Sequence, residues 1–214
     1  MNIDVYGRKV INPQIDFNLV VSMKRRGLFL IVLLLLGLLL PLNTMNLVKG
    51  QAPYVSIQEI QGYSDSSPYE DQVVITRGVV TAIFSNGFFI QNGTGARSGI
   101  FVYTKYTPEY SDTGGYVQVG DYIEIQSKVS EYKGMTELNY YTSGEKYLIK
   151  IGMAEVPAPE ILPTNETMQE KWEGVLVKVM DARITGRYDS TKYHYTKIWV
   201  NDGSGEALLF FTYC

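Results

Sequence analysis

Phe89-Ile90-Gln91-Asn92-Gly93-Thr94-Gly95 returns later in the chain as Trp199-Val200-Asn201-Asp202-Gly203-Ser204-Gly205. Each copy reads as the end of a strand, an aromatic, a β-branched residue and a polar amide, running into an Asn-Gly or Asp-Gly turn whose glycines tolerate positive φ. A second strand follows both times, Gly99-Ile100-Phe101-Val102-Tyr103 and then Ala207-Leu208-Leu209-Phe210-Phe211. Upstream lie two β-rich runs with a glycine near the start, Arg77-Gly78-Val79-Val80-Thr81 and Glu173-Gly174-Val175-Leu176-Val177. Glycine weakens the interior of a strand, so its placement here predicts a bend that lets a small sheet curl. The chain therefore holds two related β-modules.

After the first hairpin, Val119-Gly120-Asp121 opens the alternating strand Tyr122-Ile123-Glu124-Ile125-Gln126-Ser127-Lys128-Val129. A last strand is expected near Leu138 to Tyr141 or Tyr147 to Ile151. The expected fold is all-β, a five-stranded OB-type Greek-key barrel followed by an incomplete second OB-like module. The domain plan is an N-terminal extension over 1–50, the barrel over 51–155, a proline-rich linker over 156–164 and the partial module over 165–214. Val156-Pro157-Ala158-Pro159-Glu160-Ile161-Leu162-Pro163 reads as an extended spacer, and Thr164 to Trp172 as a short capped helix. By analogy with the first module, Phe211 to Cys214 closes a third strand with no fourth or fifth to follow. A truncated or split gene product, completion by a partner chain, and pairing with the first module are the three expectations.

Ile57-Gln58-Glu59-Ile60-Gln61-Gly62, Ser67-Pro68-Tyr69, Gly78-Val79-Val80-Thr81, Gly87-Phe88-Phe89-Ile90-Gln91 and Val129-Ser130-Glu131-Tyr132-Lys133-Gly134-Met135-Thr136-Glu137-Leu138 together carry a family likeness. Residues 55–142 resemble the OB-fold modules that accompany secreted bacterial and archaeal nucleases of the endonuclease/exonuclease/phosphatase type. Trp172 to Val177 begins a weaker second match. The resemblance implies a nucleic-acid-associated module outside the cell. The catalytic domain of such nucleases has no counterpart in the sequence. His194 is the only histidine and Cys214 the only cysteine, so a His-based general base, a His/Cys zinc site and a Cys-His nucleophile pair have no support. No catalytic residue, metal ligand or cofactor is expected, and an N-terminal piece of a secreted nuclease is the reading under which that would change.

Met23-Lys24-Arg25-Arg26, an apolar run from Leu28 to Leu40, Pro41 and the boundary Val48-Lys49-Gly50 form a secretory signal pattern, with cleavage expected after Gly50. The apolar core is short for a membrane span, so an uncleaved anchor is the alternative. Either places the chain outside the cell, secreted or on the membrane's outer face. A start at Met23 rather than Met1 fits the same pattern. Cys214 permits no intramolecular disulfide. From Gln51 onward 13 Lys and Arg stand against 20 Asp and Glu, a formal charge of −7. Phosphate affinity comes mostly from cations that displace counterions, so an acidic module binds nucleic acid weakly or locally.

Strand alternation separates the faces. Phe88, Ile90, Ile100 and Val102 form an aliphatic-rich set expected inside, which leaves Phe89, Gln91, Phe101 and Tyr103 on the outer face used by OB folds for oligonucleotides and oligosaccharides. Trp199, Asn201 and Lys197 occupy the matching face of the second module. Lys128, Tyr132 and Lys133 complete the candidate nucleic-acid-binding set, the last two beside the turn that follows the fourth strand. Aromatics on such a face can stack bases, at about 1–3 kcal/mol each. The expected partner is single-stranded nucleic acid, with a nuclease or an envelope component as a further one. A protein- or glycan-interaction module is the rival from a different class. Asp202 and Glu206 read as a solubilising edge rather than a calcium pair, which would need six to eight oxygens.

Overall fold

The computed structural model describes residues 50–212. The signal or anchor segment, the candidate start residues and Cys214 lie outside the described residues. Among the described residues no helix is long and apolar enough to cross a membrane.

The first element is a short helix, α1 (Ile57–Gln61), set by local chemistry at both ends. Ser56 Oγ accepts from the Glu59 N–H while the Glu59 carboxylate accepts from the Ser56 N–H, a reciprocal capping box, and Gly62 ends the helix at φ +64°. Ile57 and Ile60 are fully buried. Six strands follow: β1 (Val73–Phe84), β2 (Gly87–Gln91), β3 (Gly99–Tyr103), β4 (Asp121–Tyr132), β5 (Met135–Asn139) and β6 (Tyr147–Met153).

Barrel closure is read from the pairing. The first half of β1, Val73 to Val79, pairs antiparallel with β4, and its second half, from Val79 on, pairs antiparallel with β2 across a bulge between Val80 and Ala82. β2 pairs with β3, β3 runs parallel to β5, and β5 returns antiparallel to β4. The closed order β1-β2-β3-β5-β4-β1 is that of an OB barrel. The fifth barrel strand is Met135–Asn139. Tyr147–Met153, the other candidate, forms as well but lies outside the ring, where it extends the sheet from the N-terminal half of β4.

The interior follows the alternation read from the sequence. Phe88, Ile90, Ile100 and Val102 are fully buried, as are Ile123, Ile125 and Val129 from β4. Each such side chain contributes roughly 1.5–3 kcal/mol relative to leaving it in water. Gly78 is not the bend that the sequence suggests, since the irregularity falls two to three residues later in β1. The glycine instead admits close packing, because a Cβ there would stand 3.0 Å from Ile90 Cβ and 3.2 Å from Ile57 Cδ1. The long loop from Thr104 to Gly120 is pinned by Tyr110, which donates its hydroxyl proton to buried Asp121 at 2.5 Å.

Five further strands lie in the C-terminal part: β7 (Glu160–Ile161), β8 (Val177–Lys178), β9 (Arg183–Ser190), β10 (Tyr195–Asn201) and β11 (Glu206–Thr212). β7 and β8 pair in parallel, and β9, β10 and β11 form an antiparallel meander. Thr164 to Trp172 forms two 3₁₀ turns rather than an α-helix. The expectation that Glu173 to Val177 opens the long strand of the second module is also corrected. Gly174 sits at φ +68° in a turn, only Val177–Lys178 is extended, and the strand that pairs with β10 begins at Arg183.

Candidate functional site

The outer face of β2, β3 and β5 divides into a covered half and an open half. At the covered end the chain's own residues 171–176 lie against it. Gln91 points outward as its alternation requires, yet it is fully buried. Its Oε1 accepts from the Leu176 N–H at 2.7 Å, and its Nε2 donates to Gly93 O and Ser98 Oγ. A role for Gln91 in reading a ligand is therefore corrected: its groups are spent inside the molecule. The same segment is held by Arg97 N–H donating to Lys171 O at 2.7 Å and by Thr136 N–H donating to the Glu173 carboxylate at 2.8 Å.

This end is also acidic. Burial, reinforced by Glu170 and Glu131, pushes the Glu173 carboxyl up to about 7. Burial likewise raises Glu137, which stands beside Phe101 in the β3–β5 register.

The open half carries rings. Phe84 meets Phe89 edge-on at 5.9 Å between centroids, and Phe89 meets Phe101 at 4.9 Å. Both Phe89 and Phe101 are half-buried, which leaves part of each ring to solvent. Gly87 makes this possible, since a Cβ there would lie 2.5 Å from the Phe101 ring. Two residues along β3 on the same face, Tyr103 meets Tyr141 at 6.4 Å, and Tyr141 meets Tyr106 at 6.2 Å. Rings in two groups thus line this face from β1 to the segment after β5.

Two ammonium groups stand at its tyrosine end. Lys105 Nζ donates to the Tyr141 hydroxyl at 2.8 Å and lies 4.4 Å from that ring's centroid and 5.2 Å from Tyr106's. The Tyr141 and Tyr106 hydroxyls hold its pKa above the ordinary lysine value, so its charge persists across the neutral range. Lys146 Nζ donates to the carbonyls of Tyr140 and Tyr141 and lies 4.9 Å from the Tyr140 ring centroid. Beside Lys146 opens a cleft of about 340 Å³, lined by Thr104, Tyr106, Thr107, Glu109, Tyr140, Tyr141 and Lys146. Aromatic faces beside cations can stack a planar ring and hold an anionic group at its edge.

The remaining candidates fall elsewhere. Lys128 is paired with Asp71 at 3.0 Å. Tyr132 and Lys133 are exposed at the β4–β5 turn, with the lysine ammonium 5.3 Å from the tyrosine ring centroid. In the C-terminal sheet, Trp199 packs over Gly186, Lys197 lies near the Tyr195 ring, and Asn201 Oδ1 accepts from the N–H groups of Gly203 and Gly205 in its own turn. Asp202 is likewise occupied: Ser204 and Thr164 donate to it and hold its carboxyl below the ordinary value. Among the described residues no cluster of three or more His, Cys, Asp or Glu could hold a metal ion.

Phe84, Tyr106, Tyr140, Tyr141 and Lys146 were not expected from the sequence. The available signal was the repeated association of tyrosine and lysine in the loops that leave β3 and β5, at Tyr103 to Tyr106 and at Tyr140 to Lys146.

No family model and no curated protein matches the chain. Among solved structures, that of the hypothetical protein ygiW from E. coli is similar over 47% of this chain and 98% of its own, at 16% identity and a TM-score of 0.32. That likeness is too low to carry an argument. The OB assignment rests on the strand order.

Proposed function

We propose that this chain is an exported OB-fold binding protein whose first barrel takes single-stranded nucleic acid along the open half of its outer face. The observation that carries the reading is the pair of ring groups on one face, Phe84, Phe89 and Phe101 in the first and Tyr103, Tyr141 and Tyr106 in the second, with Lys105 and Lys146 at the tyrosine end. Bases stack on the rings and a phosphate sits between the two ammonium groups. The chain supplies no catalytic group in this reading, and a nuclease that works with it is a separate catalytic unit. The N-terminal basic and apolar pattern supports export.

The test is a fluorescence titration with a mixed-sequence DNA or RNA single strand at low salt. Saturable binding is expected. Phe101→Ala with Tyr103→Ala, and separately Tyr141→Ala, should each weaken it by at least roughly 5-fold and up to about 150-fold, the equivalent of about 1–3 kcal/mol for a stacked base. Absence of saturable binding, with and without divalent cations, removes the proposal.

The formal charge of −7 beyond Gly50 favours a second reading, in which the exposed tyrosines meet a glycan or protein of the cell envelope. Neutral oligosaccharides that bind with no dependence on salt, where oligonucleotides do not bind, would select it.

A further inference from the structure

The C-terminal sheet repeats the opening of the first barrel. There, the chain enters through a parallel bridge between Tyr54 and Ile75, forms α1, and continues through β1 into the β2–β3 hairpin. In the repeat, β7 bridges β8 in parallel, a 3₁₀ turn over Thr164–Glu166 takes the place of α1, and β9 leads into the β10–β11 hairpin. Even the seating of the turn recurs. Gln58 donates to Asn92 O in the first hairpin turn, and Thr164 donates to Asp202 in the second. By this correspondence β11 stands where β3 stands. The outer edge of β3 is taken by β5, whereas the outer edge of β11 carries no strand among the described residues.

The two outer edges of this sheet, neither paired to a strand among the described residues, differ in chemistry. β9 carries Arg183, Arg187 and Asp189, all exposed, and Arg187 is paired with Asp189 at 2.8 Å. Charge of this kind blunts an edge against pairing. Beyond Glu206, β11 has none: Ala207-Leu208-Leu209-Phe210-Phe211 is uncharged, and its rings and aliphatic groups reach water on both faces, with Phe210 54% and Phe211 50% exposed. A strand of this composition laid antiparallel on a copy of itself brings no like charges together over its central residues. The arrangement also closes on a twofold axis, so it stops at two copies.

We propose that β11 pairs edge to edge and antiparallel with β11 of a second copy of this chain, joining two three-stranded sheets into one. The apolar face formed by Ile198, Leu209 and Phe211 in each copy then becomes continuous across the seam.

Sedimentation of the full chain, in detergent that keeps the apolar N-terminal segments apart, should give twice the monomer mass. Hydrogen exchange at the amides of residues 207–211 should slow as protein concentration rises. Leu209→Lys places an ammonium group on each side of the seam and should return the chain to monomer, while Tyr188→Lys on β9 should leave the dimer intact. If Leu209→Lys disturbs the sheet itself, the exchange measurement on the unaltered chain decides alone. Leu209→Cys in a Cys214→Ser background should also yield a disulfide-linked dimer on mild oxidation. A monomer at every concentration overturns the proposal. So does a dimer with β11 amides unprotected, and so does a monomer with those amides protected, which would assign the edge to a strand from elsewhere.

Discussion

Gln91 shows how a correctly placed side chain can still be withheld from a ligand. Its orientation is legible from strand alternation, but its surroundings are not, because Leu176 and its neighbours arrive from a part of the chain far away in sequence. Replacing it with leucine keeps the bulk and strands the Leu176 N–H, so Gln91→Leu should lower stability by about 1–3 kcal/mol in chemical denaturation. Glu173 nearby allows a prediction with a defined sign. Burial pushes its carboxyl up to about 7 from an ordinary value of 4.5, so between those values the folded state binds more protons than the unfolded one. Stability should therefore fall as pH rises from about 4.5 to 7, and burial of Glu137 acts in the same direction. Glu173→Gln keeps an acceptor for the Thr136 N–H. Melting temperatures over that range should become flatter in the variant and higher than the parent's above pH 7; an unchanged slope would remove Glu173 as the source.

Among the elements, the segment after the second 3₁₀ turn is held by its hydrogen bonds to Gln91 and Thr136 and by one close backbone-to-backbone approach. A Cβ on Gly99 would lie 2.0 Å from Gly174 O, and Gly174 itself is in the left-handed region at φ +68°. No side chain can be inserted there without moving one of the two backbones. Gly99→Ala should therefore lift residues 172–176 from the barrel, accelerate hydrogen exchange at Leu176 and cost about 1–3 kcal/mol, as overpacking does. The barrel strands were legible because alternation survives wherever one face is buried, as in β4 from Ile123 to Val129. The opening strand of the second module was not. Val175, Leu176 and Val177 look like strand residues, but Val175 is buried outside any strand, the Leu176 N–H is bonded to Gln91, and only Val177 joins a short parallel pair with Glu160. The aromatic row was half legible. Phe89, Phe101 and Tyr103 follow from the faces of β2 and β3, whereas Tyr106 and Tyr141 reach it from irregular segments whose course no periodicity encodes.

For the whole molecule, charge sets the limit on binding. With a formal charge of −7 beyond Gly50 and two ammonium groups at the open face, only about two phosphates can be neutralised. The logarithm of affinity for a single strand should then fall with the logarithm of salt concentration at a slope of roughly −1.4. A titration series at several salt concentrations measures it; a slope several times steeper would mean that the strand follows another, more basic path. The pairing scheme also bears on how the chain acquires its shape as it is synthesised. Every ladder that shuts the barrel, including the parallel one between β3 and β5, is complete by Asn139, and β6 is added by Met153. Everything the ring needs has thus emerged before β9 to β11 are translated. The later sheet therefore meets a finished surface, already carrying the Gly99 groove that receives Gly174, and a ribosome stalled between the two should present the barrel folded to a protease.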